Sequence, residues 1–427
     1  MTHQDQTRTD IAIVGGGIAG LVAAVTAVEG GASVTLLEAH RAGGRAATVA
    51  RNGYRYNVGP HALYLAGQLR AFFDARGFDP PGGMAGNAGV RLLRDGQLWP
   101  IGFNALDLAR TKLLKPRSRA RALSLFARLP RLDETAFVGT SWQDWLADEP
   151  DDLAGLLAFL GRTTSYVNAP ASFDAAAALA QIKTGMKGVR YLDNGWQTMI
   201  DWLTAEFARR GGVVREHAEV ARVNADDDSV VLEVEDTELR ARSVIVAGLA
   251  PAAVTRLTGS SIRGGENLGG AVHGSVLDLA LSRVHEGLVF GIDEPLYLSP
   301  HAPLADLAPG GAGLVTLMHY IPDGASPDLA TTRRRLRELA EQAGIRAGDI
   351  VDERYLHRLV VANGFPAAHG GGLAGRPAVD ALDADGVFLA GDWVGPTGHL
   401  ADASTASAQD AARRALAHVR ETVGVRT

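Results

Sequence analysis

Two hexapeptides of this 427-residue chain have the glycine spacing that lets a backbone close on a phosphate: GGGIAG at 15–20 and GGGLAG at 370–375. Both fit G-x-G-x-x-G, but the chemistry depends on what flanks the glycines. Before the first lies the apolar run Ile11 to Val14, which predicts a buried parallel strand. After it, Leu21, Ala24, Val25 and Val28 recur at helical spacing until Gly30-Gly31 stops them. Ser33 to Leu37 reads as a second strand, ending at Glu38, which lies 23 residues past Gly15. In such a unit Gly15 permits the tight turn, Gly17 lets a pyrophosphate approach the backbone, and Gly20 lets helix and strand pack closely. The helix N-terminus supplies N–H groups and the positive end of a dipole. Glu38 would accept from a ribose hydroxyl and repel a 2′-phosphate, which disfavours NADP.

The second string lacks this setting. Gly364, Pro366 and His369 precede it and Arg376-Pro377 follows, so no helix can run directly on. It predicts a loop, and the chain is expected to hold one dinucleotide.

Composition narrows the partners. A net charge of −6 argues against a nucleic-acid binder. The absence of cysteine excludes disulfides, thiolate catalysis, Cys-ligated metals and a Cys-linked flavin, and no metal site is expected. Hydrophobic residues at 46% and charged residues at 21% are ordinary for a globular chain. The uncharged run from Ile11 to Val28 imitates a signal segment, but its leader carries Asp5 and Asp10 beside Arg8 and no cleavage site follows. No targeting or transmembrane segment is predicted, and the expected location is the cytoplasm.

Further blocks carry a resemblance. AHRAGGRAAT follows Glu38, then YRYNVGPHALY at 54–64, YLDNGWQTMIDWLTAEFARRGGVV at 191–214 leading into HAEVARV, SVIVAGLAP at 243–251, and GVFLAGDWVGPTGHLADASTASAQDAA at 386–412. Together and in this order they resemble the flavin amine oxidase, phytoene desaturase and protoporphyrinogen oxidase superfamily. The resemblance implies an α/β chain: a Rossmann-type (GR2-like) FAD-binding domain with an interleaved α+β substrate domain. It divides the chain into FAD-binding parts at 1–62, 190–259 and 354–427 and substrate parts at 63–189 and 260–353. It implies non-covalent FAD held by Gly15, Gly17, Ile18, Ala19, Gly20, Glu38, Ala39, Gly43, Gly44, Arg45, Gly59, Pro60, His61, the main chain of Val220, Gly391, Asp392, Leu400 and Ala401. Arg45 can reach pyrophosphate oxygens and Asp392 ribityl hydroxyls. Two positions depart from the pattern: Asn57 stands where an acid is common, and Ser407-Ala408 replaces Ser-Gly.

The inserts should choose the substrate. The first predicts helices at 65–73, 106–129 with a break at Pro116, and 141–160, capped by Ser141 with Asp144. The second predicts a strand at 274–281, with Val276, Asp278 and Ala280 on one face and Leu277, Leu279 and Leu281 on the other, and a solvated helix at 331–343. Arg110 to Arg131 holds eight basic residues and no acid. Surface helices with apolar inner faces are favoured there over peripheral membrane contact.

His61, directly after Gly59-Pro60, and His273 are the candidate catalytic groups. His273 falls where the resemblance would place a flavin-facing lysine, and no lysine follows Lys187. His399, Trp393 and Tyr297 are weaker candidates; core packing is favoured for Trp393 and Tyr297. The expected activity is hydride removal from a small, largely apolar molecule to flavin N5, forming C=C or C=N, with reoxidation by O₂ or another diffusible acceptor. A redox-neutral flavin-dependent isomerase or cyclase, and a non-catalytic flavoprotein, are the alternatives. The sequence leaves the oligomeric state open.

Overall fold

The computed structural model describes residues 8–86, 89–102, 104–226 and 229–424; Asp5 of the leader lies outside them. Backbone contacts divide the chain into one unit of residues 1–47, 197–268 and 373–427 and a second of residues 48–196 and 269–372.

The first unit is a seven-stranded sheet with helices. Its strands are β1 (Arg8–Val14), β2 (Val34–Leu37), β3 (Val213–Arg215), β4 (Val220–Asp226), β5 (Ser229–Val234), β6 (Thr237–Ala247) and β7 (Val387–Ala390). The order is β3-β2-β1-β6-β5-β4, with β7 also paired to β6. β1 runs parallel to both β2 and β6, placing Val14 beside Leu37 and Val246. Helices α1 (Ile18–Glu29), α2 (Gln197–Arg209), α3 (Pro251–Thr258) and α4 (Leu400–Gly424) complete the unit. The four core strands β1, β2, β6 and β7 end together, because their register aligns Val14, Leu37, Ala247 and Ala390 within a residue of one another. Ligands of open parallel sheets bind at these carboxyl ends.

The second unit is built on another seven-stranded sheet, in the order Ile350–Ala362, Val272–Leu281, Gly313–Tyr320, Leu296–Ala302, Val289–Gly291, Arg91–Arg94, Gln97–Pro100. The alternation expected at 274–281 holds. Leu277, Leu279 and Leu281 join Val315, Leu317 and Leu298 in a core that the helix Leu329–Gln342 covers with Leu336 and Leu339. Val276 and Ala280 face the other way, among Tyr297, Met318 and Tyr320 and among Tyr54, Tyr56 and Tyr191. That second face also buries an ion pair, Arg354 to Asp278 at 2.6 Å, with Thr316 donating to the other carboxylate oxygen at 2.7 Å. Burial pushes the Asp278 carboxyl up, and the Arg354 charge opposes that shift.

Several boundaries fall elsewhere than the sequence placed them. The borders at 62/63, 189/190, 259/260 and 353/354 become 47/48, 196/197, 268/269 and 372/373. The strand Ile350–Ala362 pairs antiparallel with Val272–Leu281, which carries residues 354–362 into the second unit. The hairpin of Thr48–Arg51 and Tyr54–Asn57 follows it, through Arg51 and Tyr56 bonding Asp352. Residues 260–268 go to the first unit, where Ile262 bridges Leu382 and Arg263 N–H donates to Ala381. The helix expected at 141–160 is two, Trp142–Ala147 and Asp151–Ser165, because Pro150 has no N–H to continue the first. Ser141 does cap the first, accepting from Asp144 N–H at 3.0 Å. In the basic segment, the helices Ala105–Arg110 and Pro116–Arg128 turn Leu108, Ala122 and Leu125 inward. Arg121 grips Glu149 with bonds of 2.8 and 3.1 Å.

Candidate functional site

The first glycine string joins β1 to α1 as its flanks required. Gly15 adopts φ +106°, and a Cβ there would lie 2.3 Å from the Ala247 carbonyl oxygen of β6. A Cβ on Gly20 would stand 1.8 Å from the Gly15 carbonyl oxygen. These two glycines keep loop, helix and strand in contact. Gly17 differs: the nearest heavy atom to its would-be Cβ is the Gly43 carbonyl oxygen, 3.9 Å away. The chain is open there, in front of the first turn of α1, whose Ile18, Ala19 and Gly20 N–H groups have no intrahelical acceptor. No acidic residue occupies that turn. A backbone open to approach, facing N–H donors and a helix dipole, fits a pyrophosphate.

Glu38 ends β2 and is fixed by main chain on both oxygens, accepting from Gly16 N–H at 2.7 Å and His40 N–H at 2.9 Å. Its own backbone bonds to Arg215 and Ala218, and Ala42 N–H donates to Glu216 at 2.8 Å. Residues 215–220, which enter β4 at Val220, therefore border Glu38 and the exposed Ala39. The carboxylate oxygens still have lone pairs for a hydroxyl. Gly43 N–H donates to the Gly16 carbonyl, which closes the following turn onto the glycine loop.

Arg45 and Asp392, given separate jobs by the sequence, are coupled. The Arg45 Nη1 donates to Asp392 Oδ2 at 2.6 Å, with the Asp392 side chain only 2% exposed. Gly391, at the end of β7, donates its N–H to Ser407 Oγ of α4 at 3.0 Å. Ser407 in turn donates to the Ala403 carbonyl at 2.7 Å, so the position departing from Ser-Gly still ties the helix to the strand end. α4 begins at Leu400 with φ +53°, an uncommon conformation for a bulky residue and one that clusters at ligand sites. His399, buried before it, accepts from Asp402 N–H and so starts the helix through its main chain. Trp393 packs in the core, donating to the Leu249 carbonyl at 2.8 Å.

Sequence reasoning missed Arg376. It follows the second glycine string, is 5% exposed, and donates to three carbonyl oxygens: Gly395 at 2.7 Å, Thr397 at 3.1 Å and Asp392 at 3.2 Å. Its one visible sign is a lone charge before proline in an otherwise uncharged stretch. The string itself forms a turn, as expected, with Gly371 and Gly372 at positive φ. In the second unit, a Cβ on Gly372 would lie 2.6 Å from an oxygen of buried Asp174.

Gly59, Pro60 and His61 belong to the second unit. Tyr166, left-handed at the end of its helix, donates to the Pro60 carbonyl at 3.0 Å. His61 Nδ1 lies 2.9 Å from the Gly59 carbonyl oxygen and its ring meets Trp196 edge-on at 4.5 Å. Asn57 accepts through one oxygen from Trp196 N–H and Thr48 Oγ1, uses an aspartate would serve equally. His273 opens the strand Val272–Leu281; burial, reinforced by Arg358, pushes its imidazole down. Around the same sheet face, Tyr191 bonds Ser299 at 2.8 Å, Tyr297 lies 3.4 Å from Tyr191, and His301 stacks on Tyr191 at 4.4 Å. Burial, with His61 opposing its charge, pushes His301 down to about 3. Tyr166, Phe290, Leu356, Leu359 and Val361 rim this face and are only partly buried. For Tyr297 the sequence favours core packing, as its burial shows; Tyr166, Tyr191 and His301 carry no spacing signal.

Residues 13–76 match the family model of an NAD(P)-binding Rossmann-like domain. A carotenoid 3,4-desaturase of Haloarcula japonica is 38% identical over 77 residues, which span 18% of this chain and 16% of that protein. Solved structures match nearly end to end, among them the following two. An oxidoreductase from Methanosarcina mazei gives a TM-score of 0.73 at 17% identity, covering 94% of this chain and 99% of its own. Cyclohexylamine oxidase from Brevibacterium oxydans gives 0.71 at 16%, covering 96% and 99%. The fold is thus the Rossmann-type, two-unit architecture of these solved oxidoreductase structures, the fold that the sequence led one to expect. Among the described residues no helix is long and apolar enough to cross a membrane, and no group of side chains has the makings of a metal site.

Proposed function

We propose that this chain is a cytoplasmic, FAD-dependent oxidoreductase that removes hydride from a small, largely apolar substrate. The observation that carries its dinucleotide cofactor is the glycine loop, open at Gly17 and flanked by the main-chain-anchored carboxylate of Glu38. The glycine loop alone does not separate FAD from NAD, since both share an adenosine diphosphate half. FAD is favoured by the blocks at 43–45, 59–61 and 391–401, which a nicotinamide Rossmann unit does not require. When bound, FAD supplies the two-electron acceptor.

The chain's own residues divide the remaining work. Gly17 and the first N–H groups of α1 receive the pyrophosphate, with Ile18 and Ala19 in the turn, while Gly43, Gly44 and Arg45 close over it. Glu38 and Ala39, with the Val220 main chain, hold the adenosine end. Gly391, Asp392, Leu400 and Ala401 serve the ribityl and ring end. Gly59, Pro60 and His61 form a turn held by Tyr166, and His61 with His273 are the candidate groups for a proton. His273, kept neutral by burial, is available as an acceptor. The partly open rim of Tyr166, Phe290, Leu356, Leu359 and Val361 suits an apolar substrate. Product C=C or C=N bonds, and reoxidation by O₂ or another diffusible acceptor, complete the reading.

The test is an absorbance spectrum of the purified protein, then anaerobic titration with amines, polyenes and cyclic alkenes. A flavin spectrum that bleaches with one class supports the proposal. A protein that binds NAD and no flavin overturns it.

A further inference from the structure

The basic segment at 110–131 has no task in the flavin chemistry. Its flanking helices bury Leu108, Ala122 and Leu125, as the sequence favoured, and the face they leave outside is one-signed. Arg110, Lys112, Lys115, Arg117, Arg128 and Arg131 are all exposed, and none forms an ion pair among the described residues. The carboxylates beside them are turned inward. Glu149, 2% exposed, takes Arg121, and buried Asp152 accepts from the Lys115 main-chain N–H and from Ser118, each at 2.6 Å. Glu134 pairs with Lys183 at 2.6 Å, and Asp107 bonds Asn104 within its own turn. Asp148 and Asp151 are the exposed acids that flank Glu149 and Asp152. A surface that serves solubility alone mixes both signs, because like charges gathered on one face repel.

The shape of this face matters as much as its charge. On the helix Pro116–Arg128, Arg117, Arg121 and Arg128 fall on one stripe, and the exposed residues between them are the small Ala120, Ser124 and Ala127. Long cations therefore stand above a low ridge. Leu106, on the preceding helix, is 56% exposed. The segment 110–131 carries +8 in a chain of net charge −6, which leaves −14 on the rest.

We propose that this face docks the protein on an anionic lipid surface, with headgroup phosphates over the arginine stripe and Leu106 entering the apolar layer beneath. A polyanion that wraps the chain meets its acidic remainder, whereas a planar surface touches the basic face alone. An exposed leucine among cations suits a partner whose charge lies over hydrocarbon. The proposal needs no flavin and stands or falls separately from the FAD reading.

Cosedimentation of the purified protein with vesicles tests it, using phosphatidylcholine alone and phosphatidylcholine mixed with phosphatidylglycerol. Binding to the mixed vesicles should exceed binding to the neutral ones by at least about thirtyfold, and should fall about tenfold between about 0.05 M and about 0.5 M salt. Arg117→Gln with Arg128→Gln should weaken it about tenfold, with circular dichroism unchanged. Arg334→Gln with Arg413→Gln, exposed arginines of other helices, should change it by less than about twofold. If the first pair does not fold, Arg110→Gln with Arg131→Gln carries the same expectation. Equal binding to both kinds of vesicle, or equal losses from the two arginine pairs, overturns the proposal. Binding of duplex DNA as tight as that of the mixed vesicles also overturns it, in favour of a general polyanion surface.

Discussion

The two units solve opposite problems with opposite materials. The first makes a ligand cradle from what the backbone offers once side chains are removed. Gly15 and Gly20 remove steric bulk, Gly17 leaves a gap, and Glu38 is anchored by two main-chain N–H groups. The second makes its interior from side chains set at right angles to a sheet. The Arg354–Asp278 pair, the Tyr191–Ser299 bond and the neutral His301 all come from residues far apart in sequence. Backbone-built sites tolerate little substitution but need few residue types. Side-chain-built interiors lose stability piece by piece.

The sharpest break of that contrast is Gly20→Ala. Its methyl would overlap the Gly15 carbonyl oxygen, so the loop must move, and FAD affinity should fall by at least about a hundredfold in fluorescence titration. Native-like affinity would show that the loop is less constrained than its contacts imply. Next comes Arg354→Met, which leaves the Asp278 carboxylate buried without its cation. Chemical denaturation should show a loss of roughly 3–5 kcal/mol, with FAD affinity of the folded fraction, under the proposed assignment, unaffected. Glu38→Ala removes an anchor for Gly16 and the acceptor proposed for ribose, and a loss of FAD affinity of about tenfold or more is expected. Arg45→Ala should act in the same direction, and stoichiometric FAD in both variants would mean those contacts are misassigned.

The pH dependence separates the units further. The His301 pKa, about 3 in the folded chain, lies below the ordinary value of 6.5. Between those values the unfolded chain binds more protons, so stability is complete above about pH 6.5 and falls as pH drops, by roughly 1.4 kcal/mol per unit for this group. His301→Gln should flatten the pH profile of denaturation midpoints in that window relative to wild type. An unchanged slope would place the acid sensitivity elsewhere. The smallest effect belongs to Ser141→Ala, which removes a cap and should cost about 1 kcal/mol in the same assay.

Much of the first unit could be read in the chain because its determinants are local. Strand, glycine turn, helix, strand and acid occupy residues 11–38, and hydrogen bonds join neighbours within that span. The pattern at 274–281 was legible for a related reason, since period-two alternation is written along one strand. Where the reading failed, the cause was non-local or a single strong residue. Pro150 overrode helical periodicity, and pairing of 350–362 with 272–281 moved a domain border that composition does not mark. Arg376 sat in plain view beside a glycine string, but nothing in its neighbours announces that three carbonyls from 392–397 surround it.

By itself the sequence settled the backbone grammar: which segments alternate or repeat at helical period, where glycine must admit a turn, and that no cysteine chemistry exists here. These follow from covalent geometry and short-range sterics, which a residue carries wherever it goes. Tertiary structure alone decided that Arg45 meets Asp392, that Ser407 holds Gly391, and that Asp278, His301 and Arg376 lose their water. Burial and long-range pairing set the strength of every charge and hydrogen bond, and they exist only once distant strands have met.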